Sequence, residues 1–176
     1  MRSENGCPAF FDPRWAVAPV WRFEFSIECA VPRDFAWSFW TDVRNWALDA
    51  DVESVTLEGE FVAGASGHTI SRSSGPIDWR IAEVEPGRAV LEFPAPGALA
   101  SFVWTFEDSA TGTEISQEAS LSGPEAQRYA ETFGPLLEKG IPGGMRKLCE
   151  AMETAHSGLA SKKEKGHGEP WPSSLR

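Results

Sequence analysis

The sequence lacks any run of about 18 apolar residues, which is the length that a membrane-spanning helix needs. Residues 1–12 mix charge with glycine and proline, and they contain no apolar stretch of the kind that a secretory signal requires. We therefore expect a chain without an integral membrane segment that resides in the cytoplasm.

Cysteine and histidine are scarce, and their positions follow no metal-binding pattern. The chain has three of each, and no pair of cysteines forms a CxxC motif: Cys7, Cys29, Cys149, His68, His156 and His167. An odd number of cysteines at unrelated spacings does not indicate a disulfide framework, and histidines this far apart do not indicate a zinc site. The sequence predicts neither a metal nor a cofactor.

Positive charge is also in short supply. The 16 Lys and Arg residues face 26 Asp and Glu residues, which leaves a net charge of −10. Such a chain repels phosphate backbones, so nucleic-acid binding is not expected. A glycine-rich phosphate loop, an HExxH motif and a local nucleophile–base pair are likewise missing, so no reaction type can be assigned from motifs.

Apolar residues, by contrast, are abundant enough for one folded domain. Of the 176 residues, 41% are hydrophobic, and they include eight Trp and eleven Phe. We divide the chain into an N-terminal arm at 1–19, a folded domain at 20–157 and a polar C-terminal tail at 158–176. The low apolar content of the tail predicts disorder.

The longest periodic stretch is residues 124–157, where apolar side chains recur at spacings of three and four residues. This spacing predicts a long helix with one apolar face, and a rise of ~1.5 Å per residue gives it a length of about 50 Å. Pro142, which is flanked by Gly140, Gly143 and Gly144, removes a backbone donor. We expect it to divide the helix into two halves joined by a kink.

The preceding residues read as strands with a helical insertion. Residues 20–29 alternate strictly between apolar and polar types, which predicts a strand with one buried face. Pro32 opens a short helix, and a second small helical piece follows near Asn45. A helix-turn-helix DNA-binding unit is the alternative interpretation of this pair, but no basic recognition helix follows it.

After Asp51 the pattern consists of short strands and tight turns. Six candidate strands are joined by turns rich in Gly, Pro and Ser, so consecutive strands should pair antiparallel: 52–60, 67–73, 77–85, 89–93, 100–107 and 113–121. One strand, two small helices, six strands and a long helix make an α+β order with the helices on one face of a single sheet.

This order of elements resembles the START-like polyketide cyclase and lipid-transfer superfamily, whose helix-grip fold is shared with the birch-pollen allergens. The matching segments are 31–37, 41–46, 57–61 with Gly64 and Gly67, 79–88, and 102–107 with Gly112 and Thr113. The resemblance implies a seven-stranded curved antiparallel sheet wrapped around a long C-terminal helix, with two short helices between strands 1 and 2. It also implies a cavity between sheet and helix for a small hydrophobic molecule.

Polar residues on apolar faces are the informative candidates for such a cavity. Gln117 lies between Ile115 and Ala119 in the alternation of its strand, on the face that we expect to be buried. It is a candidate ligand contact, and the alternative is that its amide bonds a neighbouring strand or a core water.

The orientation of a second polar pair depends on a strand register that the sequence leaves open. His68 and Arg72 share the alternation of Ile70, so all three point inward if Ile70 does. His68 and Arg72 are then candidate catalytic groups, and Ile70 and Arg72 are candidate ligand contacts. The other register turns Thr69, Ser71 and Ser73 inward instead. In that case His68 and Arg72 face solvent.

Tyr129 lies on the apolar stripe of the long helix and could present its hydroxyl to a ligand or to a reaction. A core tyrosine with its hydroxyl at the surface is the alternative. Further ligand-contact candidates come from the aromatic strand face and the helix stripe: Phe102, Trp104, Phe133 and Met145. Each of these could equally be a plain core residue.

Three functions follow from these observations. The first is binding of an aromatic, polyketide or lipid-like ligand. The second is a polyketide cyclase, aromatase or dehydratase that uses His68, Arg72, Tyr129 or Gln117. The third is an interaction module whose cavity is collapsed. We expect a small hydrophobic partner, and the N-terminal arm could pack on a second subunit in a homodimer.

Overall fold

The computed structural model describes residues 18–48, 52–72 and 75–165, and the side chains of Leu48 and of residues 161–165 are not described. Its elements, in chain order, are β1 (Trp21–Cys29), α1 (Arg33–Thr41), a 3-10 helix (Val43–Leu48), β2 (Val52–Leu57), β3 (Ser66–Ser71), β4 (Gly75–Glu85), β5 (Arg88–Ala95), β6 (Ala98–Asp108), β7 (Thr113–Ser122) and α2 (Ala126–Lys165). The predicted α+β order is confirmed.

The seven strands form one antiparallel sheet in the order β1-β7-β6-β5-β4-β3-β2. Strands β2 to β7 follow one another as hairpins, because the turns between them are short. Only β1 departs from this order, since it pairs with β7 along its whole length, from Trp21 opposite Leu121 to Cys29 opposite Thr113. The predicted seven-stranded antiparallel sheet is therefore confirmed.

The sheet has one apolar inner face, which the helices cover, and one polar outer face. On β7 every second residue from Thr113 to Leu121 is buried, whereas their neighbours Ser116 and Glu118 are only half-buried. Gln117 belongs to the inner set and lies between Phe25 of β1 and Trp104 of β6. Because side chains alternate along a strand, this register determines which residues of each strand face inward.

A cluster of tryptophan and phenylalanine rings joins α1 and the 3-10 helix to the inner face of the sheet. We call it the aromatic cluster, and it consists of Trp37, Trp40, Trp46, Phe61, Trp79 and Phe106. The ring centres of Trp46 and Trp79 are 5.0 Å apart, and those of Trp40 and Phe106 are 5.5 Å apart. Trp79 and Phe106 are completely buried or nearly so, which places the cluster within the hydrophobic core.

Helix α2 is continuous from Ala126 to Lys165, so the predicted division into two halves is wrong. Pro135 and Pro142 both lie inside it. A proline removes one backbone hydrogen bond, but burial of Ile141 and Met145 on the sheet stabilises the helix on both sides of Pro142. Tertiary packing thus outweighs the local preference for a break.

The helix also extends beyond the predicted end of the folded domain. Residues 158–165, which were assigned to a disordered tail, are helical. The rest of that tail, residues 166–176, and most of the N-terminal arm, residues 1–17, lie outside the described residues.

Helix α2 lies on the inner face of the sheet next to β1, which is an edge strand. Side chains on one flank of α2 contact β1 and the residue that follows it. The indole N–H of Trp21 donates to Glu138 Oε1 at 3.3 Å, and the Arg146 guanidinium lies 5.7 Å from the ring centre of Phe25. The backbone N–H of Ala30 donates to Glu153 Oε1 at 2.8 Å. This flank of α2 is thereby directed toward the β1 edge of the sheet.

Among the described residues, none of the helices combines the length and the apolar character that a membrane span requires.

Candidate functional site

The flank of α2 that faces away from the β1 edge forms one wall of a space over the sheet. Residues three, four or seven positions apart share a helix flank, and this one carries Leu137, Ile141, Gly144 and Leu148. Leu137 and Leu148 are half-buried and pack against the hydrophobic core. The flank therefore looks across the inner face toward β6 and β5.

The inner face beneath this flank keeps part of its apolar surface accessible. Phe102 and Trp104 lie in the middle of β6, and Phe93 lies on β5; all three are only half-buried, although they belong to the inner strands of the sheet. Leu91, directly opposite Phe102, and Phe106, which follows Trp104 on the same face of β6, are buried. The ring centre of Trp104 lies 5.1 Å from that of Trp40, so the half-buried rings border the aromatic cluster. We call this space, between the α2 flank and Phe93, Phe102 and Trp104, the inner cleft.

Gly144 has open space beside it. A Cβ atom added there would meet no other atom within 4 Å. The same is true of Gly143, which is also half-buried. A larger side chain at position 144 therefore has room, and this position suits a substitution that tests the inner cleft.

Gln117 is the polar group that belongs to this space. Its side chain is 9% exposed, and no hydrogen bond joins its amide to another residue that the structure describes. Among the described residues, every side-chain nitrogen or oxygen that is fully enclosed has a hydrogen-bond partner. The unpartnered amide of Gln117 is therefore not fully enclosed. It can donate to or accept from a water or a ligand in the cleft, and a buried amide requires such a partner.

The structure resolves the open register of β3, and the inward orientation considered for His68, Ile70 and Arg72 is corrected. Thr69 Oγ1 accepts a 2.9 Å hydrogen bond from the Trp79 indole, and Ser71 is 7% exposed, so these two residues face inward. Ile70 is 38% exposed, and Arg72 is exposed after the end of the strand. Their side chains therefore do not contribute to the inner cleft.

His68 lies on the outer face, opposite Asp78 in the register of β3 and β4. Its Nδ1 is 2.6 Å from Asp78 Oδ1, and the two side chains are 41% and 73% exposed. They border an open depression of about 270 Å³ on the β2–β4 side of the sheet, lined by Thr56, Glu58, Ser66, Gly67, His68, Asp78 and Trp79. This depression is separate from the inner cleft.

The remaining candidates divide between the cleft, its rim and the core. Trp104 and Phe102 border the inner cleft, and their role as ligand contacts stays a prediction. Met145 is 2% exposed and packs within the core. Phe133 is 46% exposed and stacks on Tyr129, with ring centres 6.1 Å apart. The Tyr129 hydroxyl donates to the carbonyl of Pro96 at 3.3 Å, so this pair lies where the β5–β6 turn meets the first turns of α2.

Sequence reasoning missed two parts of the inner cleft. Phe93 was only part of a candidate strand, and Gly144 was interpreted as a helix breaker. The glycine-rich composition around Pro142 did carry a signal, because glycine also occurs where a helix leaves room for another group. Only the direction of each helix flank distinguishes the two interpretations.

Comparison with known proteins agrees with this geometry. The family model for "Polyketide cyclase / dehydrase and lipid transport" matches residues 20–156. No curated protein matches the chain.

Among solved structures, norcoclaurine synthase from Thalictrum flavum in complex with dopamine and hydroxybenzaldehyde has a TM-score of 0.62 at 12% identity, with coverage of 88% of this chain and 98% of that one. The di-domain aromatase/cyclase StfQ from the steffimycin biosynthetic pathway has a TM-score of 0.63 at 13% identity, covering 78% of this chain and 51% of that one. The putative protein DynU16 of the dynemicin biosynthetic locus has a TM-score of 0.57 at 20% identity, covering 76% and 48%. At these identities the likeness establishes the fold, and the predicted helix-grip architecture is confirmed.

Proposed function

Because the chain belongs to the polyketide cyclase / dehydrase and lipid transport family, we propose that it binds a small hydrophobic molecule of aromatic or polyketide type in the inner cleft. The walls of the cleft favour a flat apolar ligand, since Phe93, Phe102 and Trp104 offer ring faces and edges. A pocket with apolar walls and one or two polar groups is typical of small-molecule sites.

The observation that carries the proposal is the Gln117 amide. It is nine-tenths buried in an apolar setting and lacks a partner among the described residues. A ligand carbonyl or hydroxyl group would satisfy it, and the surrounding rings would cover the rest of the ligand. A purely structural glutamine at this position would be expected to bond a neighbouring strand.

Binding is a better-supported role than catalysis, because the titratable candidates lie elsewhere. His68 is on the outer face, and the Tyr129 hydroxyl is engaged with Pro96. General acid or base catalysis requires such a group within hydrogen-bond reach of the reacting atoms. A cyclase, aromatase or dehydratase activity remains the second candidate because of the family, and it would depend on positioning the chain rather than on these residues.

The test uses a residue that fills the cleft without disturbing the core. Gly144→Trp should place an indole in the open space and weaken binding of an apolar fluorescent probe such as anilinonaphthalene sulfonate by at least about tenfold, a loss of ~1.4 kcal/mol. Gly143→Trp is the matched control, because Gly143 also has no neighbour within 4 Å of an added Cβ. It is adjacent to Gly144 but lies two positions from Ile141 and five from Leu148, so it is on a different flank of α2. It should leave probe binding unchanged.

Two results would contradict the proposal. If the wild-type chain binds no probe and carries no small molecule in a native mass spectrum, the interaction module without a ligand becomes the better account. If both tryptophan variants weaken binding equally, the probe binds outside the inner cleft. Turnover of a poly-β-keto substrate by the wild type, lost in Gly144→Trp, would favour the enzyme.

Cytoplasmic location and assembly as a homodimer remain predictions.

A further inference from the structure

Two of the three cysteines meet where the end of β1 contacts α2. Cys29 is the last residue of β1, and Cys149 lies on α2; their exposed fractions are 0% and 5%. Glu153 follows Cys149 by one helical turn. The two sulfur atoms and a carboxylate oxygen of Glu153 all lie within 4.8 Å of one another. The two cysteines are 120 positions apart in the sequence, so no spacing rule could reveal this cluster.

Contacts around the cluster hold these groups in place. The Cys149 thiol lies 3.6 Å from the carbonyl of Glu28 and 3.6 Å from Glu153 Oε1, while Cys29 Sγ lies 3.6 Å from the carbonyl of Cys149. The backbone N–H of Ala30 donates to Glu153 Oε1 at 2.8 Å, which directs the carboxylate toward the thiols. Such an outer contact is what orients ligands in known metal sites.

The cluster places two buried thiols beside a half-buried carboxylate. Burial raises the pKa of the Cys29 thiol far above its ordinary range, and Cys149 and then Glu153 raise it further. Burial likewise raises the pKa of Cys149, which the hydrogen bond with Cys29 opposes and the charge of Glu153 reinforces. A metal that binds the two sulfur atoms must therefore displace their protons, because thiolates form when a metal coordinates them.

From this geometry we propose that Cys29, Cys149 and Glu153 form a binding site for a thiophilic divalent cation such as Zn²⁺. Zinc accepts thiolate sulfur at ~2.3 Å and carboxylate oxygen at ~2.0–2.2 Å, so tetrahedral ligands stand roughly 3.8 Å apart. The present separations would need to contract by about an ångström or less, which side-chain rotation can supply. With three protein ligands, the fourth position would be left for water. Bound there, the ion would link the end of β1 to α2.

The experiment uses the full chain, fully reduced and carrying Cys7→Ser so that only two thiols remain. Co²⁺ and Zn²⁺ serve as the probes. One Co²⁺ per chain should bind with a thiolate-to-metal charge-transfer band, and Zn²⁺ should displace it and raise Tm. Cys149→Ser and Glu153→Gln should each weaken Zn²⁺ binding by at least about tenfold, the lower end of the loss that even an outer partner causes.

Glu150→Gln is the matched control. It removes the same charge from the same turn of α2, but its side chain is exposed and is not one of the three grouped ligands. It should bind Zn²⁺ as the parent does. Absence of the charge-transfer band in the parent protein would overturn the proposal, as would equal Zn²⁺ affinity in Cys149→Ser and the parent. Cys29→Ser is not needed for the decision, so a folding defect in that variant leaves the test intact. None of these measurements depends on the inner cleft.

Discussion

Trp79 illustrates how one side chain determines the orientation of a neighbouring strand. Its indole occupies the space above Gly67 on β3 and donates to Thr69. A Cβ atom at position 67 would overlap this ring. The pairing therefore requires Gly67 and Thr69 to face inward, and His68 then faces outward. The absence of a side chain at Gly67 is thus what resolves the two registers that the sequence leaves open.

We predict that Gly67→Ala destabilises the domain by about 1–3 kcal/mol, the cost of overpacking a core. The free energy of unfolding, measured in urea, tests this. Gly140→Ala is the control, because nothing lies within 4 Å of its added Cβ. A Gly67→Ala variant as stable as the wild type would mean that Trp79 can move aside.

Gln117 is the second residue whose environment leads to a prediction. We expect Gln117→Leu to keep or slightly raise the free energy of unfolding, because the amide has no partner to lose among the described residues. Its effect should fall on ligands. Binding of aromatic compounds with a carbonyl or hydroxyl group should weaken by ~0.5–1.5 kcal/mol, the net value of one hydrogen bond.

Hydrocarbons of the same shape provide the control for Gln117→Leu, since they offer no polar group. Calorimetric titration of matched polar and apolar ligands would measure the difference. Equal losses for both ligand types would indicate that the substitution changes the shape of the inner cleft. Unfolding at lower temperature would instead assign Gln117 a structural role.

At the scale of elements, α2 is helical although its composition is unfavourable for a helix. Two prolines and five glycines lie within residues 126–165, yet the helix is continuous. Packing of Ile141, Met145 and Met152 on the sheet compensates for the poor helix propensity. The three glycines near Pro142 therefore leave the helix less stable than better helix-forming residues would.

We predict that Gly140→Ala raises the free energy of unfolding by about 0.5–1 kcal/mol, the usual difference between the two residues within a helix. The position is exposed and free of neighbours, so no clash offsets the gain. Thermal and urea unfolding monitored by circular dichroism would test this. A decrease in stability would show that a bend at this position serves the packing of α2.

At the scale of the whole molecule, the end of α2 extends past the part that packs on the sheet. Phe35 and His156 make the last ring contact along the helix, with ring centres 4.9 Å apart. Beyond them, residues 157–160 are exposed, including Leu159 at 56%. Residues 157–160 are thus helical without burying apolar surface.

We predict that a chain ending at Ser157 keeps its Tm within about 2 °C of the full chain, since a few tenths of a kcal/mol correspond to such a shift in a domain of this size. Differential scanning calorimetry of the two chains would measure it. A chain ending at Leu148 is the control and should be much less stable, because it loses Cys149 and Met152 from the core. A drop of more than a few degrees at Ser157 would show that the removed residues dock on the domain.

Much of the fold could be predicted from periodicity. Strict alternation identified β1 and β7, and turn residues separated β2 to β7, because side-chain alternation and turn chemistry are local properties. The continuity of α2 through Pro142 could not be predicted, since it depends on burial against distant strands. Within the site, Gln117 was identified because a polar residue interrupts the apolar set of β7. His68 was misplaced in one of its two registers because alternation alone does not distinguish the two faces.

The sequence by itself determined the order and type of the elements, the antiparallel pairing and the apolar stripe of the long helix. Each of these follows from interactions between residues close along the chain. The tertiary structure decided which flank of α2 meets β1, where room remains over Phe102 and Trp104, and that Cys29 approaches Cys149. These features depend on how two packed surfaces fit across more than a hundred residues. Such a fit is set by the volume and direction of every side chain between them, and no local pattern encodes it.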